Sequence, residues 1–107
     1  MIAAPTPTVM PPPARVQVVA QEFRYALSRQ TIKAGRAIVE LRNLGQDTHD
    51  LVLQRADGSR VVLRWPAAAP GAVIDRAVTL KPGLYRFVCT VANHRALGMQ
   101  ALLRVRR

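Results

Sequence analysis

The segment Cys89-Thr90-Val91-Ala92-Asn93-His94-Arg95-Ala96-Leu97-Gly98-Met99 spaces a thiol, an imidazole and a thioether as Cys-x4-His-x4-Met. The other of the chain's two histidines, His49, stands 40 residues before the single cysteine. Each residue alone has an ordinary structural reading: a small buried hydrophobe for Cys89, a pliable core filler for Met99, a loop or strand-end imidazole for each histidine. Together they form a graded donor set. A soft thiolate, two borderline imidazoles and a weak thioether suit copper in both of its oxidation states. Zinc prefers four strong N, S or O donors, and a thioether is a poor fourth. A Cys/His nucleophile would leave Met99 and one histidine without a role, so the chain is not expected to be an enzyme.

Such donors need a rigid frame, and the sequence predicts one made of strands. From Arg15 onward, short segments rich in Val, Leu and Ile alternate with Gly, Pro, Asn and Asp: RVQVVAQEF, RYAL with TIKAG, RAIVELRN, HDLVLQ, SRVVLRW, AVIDRAVTL, GLYRFVC and ALLRVR. Period-two alternation puts Ala37, Val39 and Leu41 on one side of RAIVELRN and Glu40 and Arg42, with Ile38, on the other. In GLYRFVC the residues Tyr85, Phe87 and Cys89 share a face, so the cysteine ends a core strand. Turn residues fall between segments at Ala34-Gly35, Asn43-Leu44-Gly45, Asp57-Gly58 and Pro82-Gly83, of which Asp57-Gly58 is the clearest hairpin signal. The predicted fold class is all-β, a Greek-key β-sandwich or barrel of seven to eight strands. His49 begins one strand, and the other three donors lie on the loop leaving another.

Length and composition set further bounds. With 107 residues the chain is expected to hold one domain, over residues 15–107, preceded by a proline-rich flexible tail or tether over residues 1–14. No apolar run is long enough to span a bilayer, and the start lacks the pattern of a secretion signal. The single cysteine rules out an internal disulfide. Sixteen Lys and Arg against six Asp and Glu give a net charge of +10, with Lys33 and Lys81 the only lysines. A field of that size favours an acidic protein, an anionic surface or nucleic acid as partner. The aromatic content of 5% leaves few platforms for stacking bases, so no specific nucleic acid is expected.

These residues resemble the cupredoxin superfamily, the small type 1 (blue) copper proteins of the azurin/plastocyanin kind. The likeness is greatest to azurin-like and rusticyanin/sulfocyanin-like members with four residues between Cys and His. It spans roughly residues 16–106 and is most specific in YRFVCTVANHRALGM, with Asn43-Leu44-Gly45 and His49-Asp50-Leu51-Val52-Leu53 upstream. The resemblance implies one copper ion on His49, Cys89, His94 and Met99. It also implies that Asp50 presents its backbone N–H to the thiolate while its side chain ties to Thr90. Electrons would leave through a partly exposed His94, framed by a docking patch of Ala92, Arg95 and Leu97, with Ala96, Leu44 and Pro66 close by. The implied function is single-electron transfer with an acidic redox protein, such as a cytochrome or oxidase subunit, by a monomer in the periplasm or otherwise outside the cytoplasm. The alternative is an extracytoplasmic copper protein for storage, delivery or resistance.

Two positions depart from the family pattern. Ala92-Asn93 stands where Pro-Gly is frequent, and Asn93 is expected to take the left-handed backbone that Gly would supply. Asp50 replaces a frequent Asn and adds a negative charge beside the metal.

Overall fold

The computed structural model describes residues 10–107; residues 1–9 of the expected tail lie outside the described residues. Nine strands are present among the described residues: β1 (Ala14–Gln21), β2 (Arg24–Leu27), β3 (Thr31–Lys33), β4 (Gly35–Asn43), β5 (His49–Arg55), β6 (Val61–Ala68), β7 (Val73–Leu80), β8 (Gly83–Val88) and β9 (Gln100–Arg106). They form a four-stranded sheet in the order β2-β1-β4-β7 and a five-stranded sheet in the order β3-β9-β8-β5-β6. The chain crosses between sheets at β2 to β3, β3 to β4, β4 to β5, β6 to β7 and β7 to β8, which makes the sandwich. Pairing is antiparallel except for β1 with β4 and β3 with β9. Among the described residues no helix is long and apolar enough to cross a membrane.

One more strand forms than the upper end of the expected seven to eight. RYAL and TIK separate at Ser28–Gln30 and join different sheets, β2 along β1 and β3 along β9. Period-two alternation describes one strand's faces and cannot tell which neighbour it pairs with, so the split left no mark in the pattern. β6 also runs past Trp65, through Pro66, to Ala68. Proline is tolerated there because β6 is an edge strand and its register against β5 shifts between His49 and Leu51, so Pro66 falls in an irregularity of the ladder.

The core lies between the sheets. Ala37, Val39 and Leu41 of β4 are buried as their alternation requires, against Leu51 and Leu53 of β5 and Tyr85 and Phe87 of β8. Phe87 is fully enclosed and meets Trp65 edge-on, ring centroids 6.5 Å apart. Burying an aromatic of this kind contributes roughly 1.5–3 kcal/mol, and here the strand it anchors is the one that delivers Cys89.

Strand directions gather the chemistry at one end of the sandwich. β1 and β4 are parallel and finish together, Ala20 opposite Asn43. There β5 starts at His49, β8 finishes at Val88, and β9 starts at Gln100 opposite Val88. The loop from Cys89 to Met99 closes that end.

Candidate metal centre

Cys89 follows the last residue of β8 and keeps the inward face set by Tyr85 and Phe87, leaving it 1% exposed. His49 opens β5 with its side chain in the core, fully buried. His94 is placed by a tight loop in which its N–H donates to the carbonyl of Val91 at 3.1 Å. Its own carbonyl accepts the N–H of Met99 at 3.1 Å, and the N–H of Cys89 donates to the Met99 carbonyl at 3.2 Å. These last two bonds tie the loop's two ends together and bring the backbone of Met99, whose side chain is fully buried, alongside that of Cys89.

The sulfur and one ring nitrogen from each histidine lie within 4.8 Å of one another, and all three residues are buried. Nδ1 of His94 stands 3.7 Å from Cys89 Sγ. Nδ1 of His49 is buried with no hydrogen-bond partner. A buried imidazole nitrogen without a partner is costly unless something accepts its lone pair, and a metal ion among these donors would do so. The residues therefore fit a metal of the thiolate-imidazole kind.

Burial raises the thiol pKa of Cys89, opposed by the backbone N–H groups of Asp50 and Val91 that point at the sulfur. The side chain of Asp50 spans to the loop: Oδ1 accepts the N–H of Thr90 at 2.7 Å and Oδ2 accepts the Thr90 hydroxyl. Tyr25, on β2, donates its hydroxyl to the Asp50 carbonyl, and its pKa is raised by burial first and then by the neighbouring Cys89 and Asp50. Thr90, Asp50 and Tyr25 thus form a continuous brace from the cysteine loop through β5 to the opposite sheet.

The outer nitrogens of both rings face carboxylates that the sequence reading did not pick out. Nε2 of His49 lies 3.2 Å from Glu22 Oε1, and Nε2 of His94 lies 3.6 Å from Asp47 Oδ2. Glu22 is held well below the usual carboxylate range, to about 2, chiefly by the backbone N–H of Asp47, with Gln46 and His49 adding to it against desolvation. Phe23, next in the chain, packs on His94 with ring centroids 4.8 Å apart. The signal for both residues is tertiary: they sit in the turn between β1 and β2, far in sequence from every ligand candidate.

Two expectations change. His94 is 6% exposed, so it is buried beneath Phe23 and its own loop rather than partly exposed, although His49 is more buried still. The residue with left-handed backbone is Ala92, φ 46°, not Asn93. An alanine there carries a strain of roughly 1–2 kcal/mol. Ala92→Gly is expected to stabilise the protein by about 0.5–1 kcal/mol after the extra entropy of glycine is subtracted; an unchanged or lower denaturation midpoint would show that the loop relaxes elsewhere. Of the expected docking residues, Leu97 is 50% and Leu44 55% exposed, while Ala92, Arg95, Ala96 and Pro66 also face solvent.

No family model matches the sequence, and no curated protein matches it either. Solved structures do. The chain is similar to dithionite-reduced auracyanin from the photosynthetic bacterium Roseiflexus castenholzii (18% identity, 88% of this chain and 98% of that one covered, TM-score 0.72). It is similar to the azurin Az-iso2 from the methylotroph Methylomonas sp. strain J (15% identity, 88% and 98% covered, TM-score 0.70). It is also similar to rusticyanin from Thiobacillus ferrooxidans (16% identity, 86% and 77% covered, TM-score 0.68). The chain has the cupredoxin fold.

Proposed function

We propose that this protein is a one-electron carrier with a type 1 copper site, in which His49 Nδ1, Cys89 Sγ and His94 Nδ1 would hold the ion and the thioether of Met99 would be a weak fourth donor. The observation that carries the reading is the buried cluster of one thiol and two imidazoles in which His49 Nδ1 has no protein partner. Copper bound there would supply a single-electron couple. A similar structure, auracyanin A from Chloroflexus aurantiacus, is described as a blue copper protein, which supports the same assignment.

The chain's own residues supply the rest. Small reorganisation between oxidation states requires ligands that do not move, and the brace through Asp50, Thr90 and Tyr25 resists movement of Cys89. Burial of all the donors excludes water. The exposed Leu44 and Leu97, with Ala92, Ala96 and Arg95, offer a small apolar surface at the His94 end for transient docking. With this reading go an acidic redox partner, a monomeric state and a location outside the cytoplasm. Three of the six carboxylates, Glu22, Asp47 and Asp50, gather at that end together with Arg95. Long-range attraction of an acidic partner would come from the net charge of +10 on the chain as a whole.

The test is to add Cu(II) to the purified chain. An intense visible absorption that ascorbate bleaches and an oxidant restores supports the carrier reading; a colourless complex, or copper lost at once to a competing chelator, sinks it. Asp50→Asn removes one negative charge near the ion and is expected to raise the midpoint potential, with the reduction equilibrium shifted on the order of threefold. Voltammetry giving the variant an equal or lower value would remove that role for Asp50.

A further inference from the structure

The turn between β1 and β2 touches both imidazoles, although it contributes no candidate ligand. Glu22 Oε1 accepts the N–H of Gln46 at 2.7 Å and of Asp47 at 2.6 Å, and reaches His49 Nε2 at 3.2 Å. The carboxylate sits against the backbone of Gly45, where a Cβ would come within 2.5 Å of Oε1. Glycine at 45 is thus what admits the carboxylate to this place. On the other side of the same turn, Phe23 lies on the ring of His94.

We propose that Glu22 is a positioning residue for the metal centre: it fixes the His49 ring with its proton on Nε2, so that the Nδ1 lone pair faces Cys89, and it places a fixed negative charge behind that ligand. The reasoning is one of donor and acceptor inventory. A carboxylate can only accept, so the nitrogen facing it carries the proton. A neutral imidazole has one proton, and Nδ1, which has no acceptor among the protein groups, is left with its lone pair. A ring already turned and in the right tautomer binds an ion without first reorganising. The charge acts in a second way, since a carboxylate hydrogen-bonded to the outer nitrogen makes the imidazole a stronger donor. That favours the more highly charged state of the ion and lowers its potential.

The second consequence rests on the copper reading above, and the first does not. The experiment separates them. Nitrogen-15 NMR of the metal-free full-length chain is expected to show His49 protonated on Nε2 in the wild type and in Glu22→Gln, whose amide oxygen still accepts. Glu22→Ala is expected to show exchange between the two tautomers. Gly45→Ala, which pushes the carboxylate out of its place while leaving residue 22 intact, should reproduce the Glu22→Ala spectrum. After copper loading, Glu22→Gln is expected to have a higher midpoint potential than the wild type, by about tenfold in the reduction equilibrium, which is about 59 mV for one electron. The proposal is overturned by an Nδ1-protonated His49 in the wild type, by identical tautomer populations in wild type and Glu22→Ala, or by a Glu22→Gln potential equal to or below that of the wild type. If the wild type gives no charge-transfer band, the copper reading falls, and the tautomer measurement still decides whether Glu22 orients His49.

Discussion

Cys89→Ser is expected to abolish the visible absorption and the reversible one-electron couple while leaving the protein folded. The intense colour of a type 1 site depends on a thiolate bound to copper, and a serine hydroxyl neither ionises in this range nor offers a soft donor. The fold should tolerate the exchange because the groups around the sulfur can serve an oxygen as well. The backbone N–H groups of Asp50 and Val91 point at position 89, and a hydroxyl oxygen can accept from them. The brace from Asp50 to Thr90 does not involve the sulfur. The stability change should therefore be about 1 kcal/mol or less, in the range of one altered buried hydrogen bond, and copper retention should fall by orders of magnitude. Retained blue absorption in the serine variant would mean that Cys89 is not the thiolate ligand and that the site has been misassigned. Collapse of the fold would mean that the sulfur has a packing role that its surroundings do not suggest.

The separation between ligands and frame also explains what could be read from the sequence. Alternation placed Ala37, Val39, Leu41, Tyr85 and Phe87 inward, and all are buried. Alternation is a local property of one strand, imposed by the pleat, so it survives without knowledge of neighbours. The Cys-x4-His-x4-Met spacing was equally plain, because its three candidate donors lie within one short run of the sequence, and the structure brings two of them, Cys89 and His94, together with His49. What was not legible depends on which elements meet. Glu22 and Phe23 looked like the end of a strand, yet they lie over His49 and His94. Asp47 fell between two predicted strands and drew no notice, yet it sits at the outer nitrogen of His94. The division of RYAL from TIK between two sheets likewise depends on partners rather than on pattern. Backbone strain at Ala92 instead of Asn93 belongs to the same class, since propensity favours Asn in the left-handed region and the loop's hydrogen bonds set the position that must adopt it.

Asn43 shows how far the frame can govern the site, and Asn43→Ala is expected to be the most damaging single change outside the ligands. The residue is fully buried at the end of β4. Its Nδ2 donates to the carbonyls of Asp47 at 2.8 Å and Ala68 at 2.9 Å, and its Oδ1 accepts the N–H of Gly45 at 2.8 Å. Its backbone N–H donates to Ala72 and its carbonyl accepts from Gly71. One side chain therefore ties the loop before His49 to the end of β6, while its backbone fastens the turn into β7. Removing the amide leaves the buried carbonyl of Ala68 without its partner, at roughly 1–3 kcal/mol, and costs the part-buried Asp47 carbonyl and Gly45 N–H their bonds as well, at less each because water can reach them. A total loss of about 3–5 kcal/mol is expected, a large share of the 5–15 kcal/mol typical of a whole domain. Function should suffer in step, because Gly45 to Asp47 is the stretch that receives the Glu22 carboxylate beside His49. Asn43→Asp keeps the shape but brings an acceptor against two carbonyl oxygens, so near neutral pH it should be at least as unstable as the alanine variant. Denaturant unfolding of the metal-free proteins measures this directly. If Asn43→Asp lost less than about 1 kcal/mol, the two donated bonds would not be what holds the loop, and the link from β4 to the metal centre would have to run through the backbone alone.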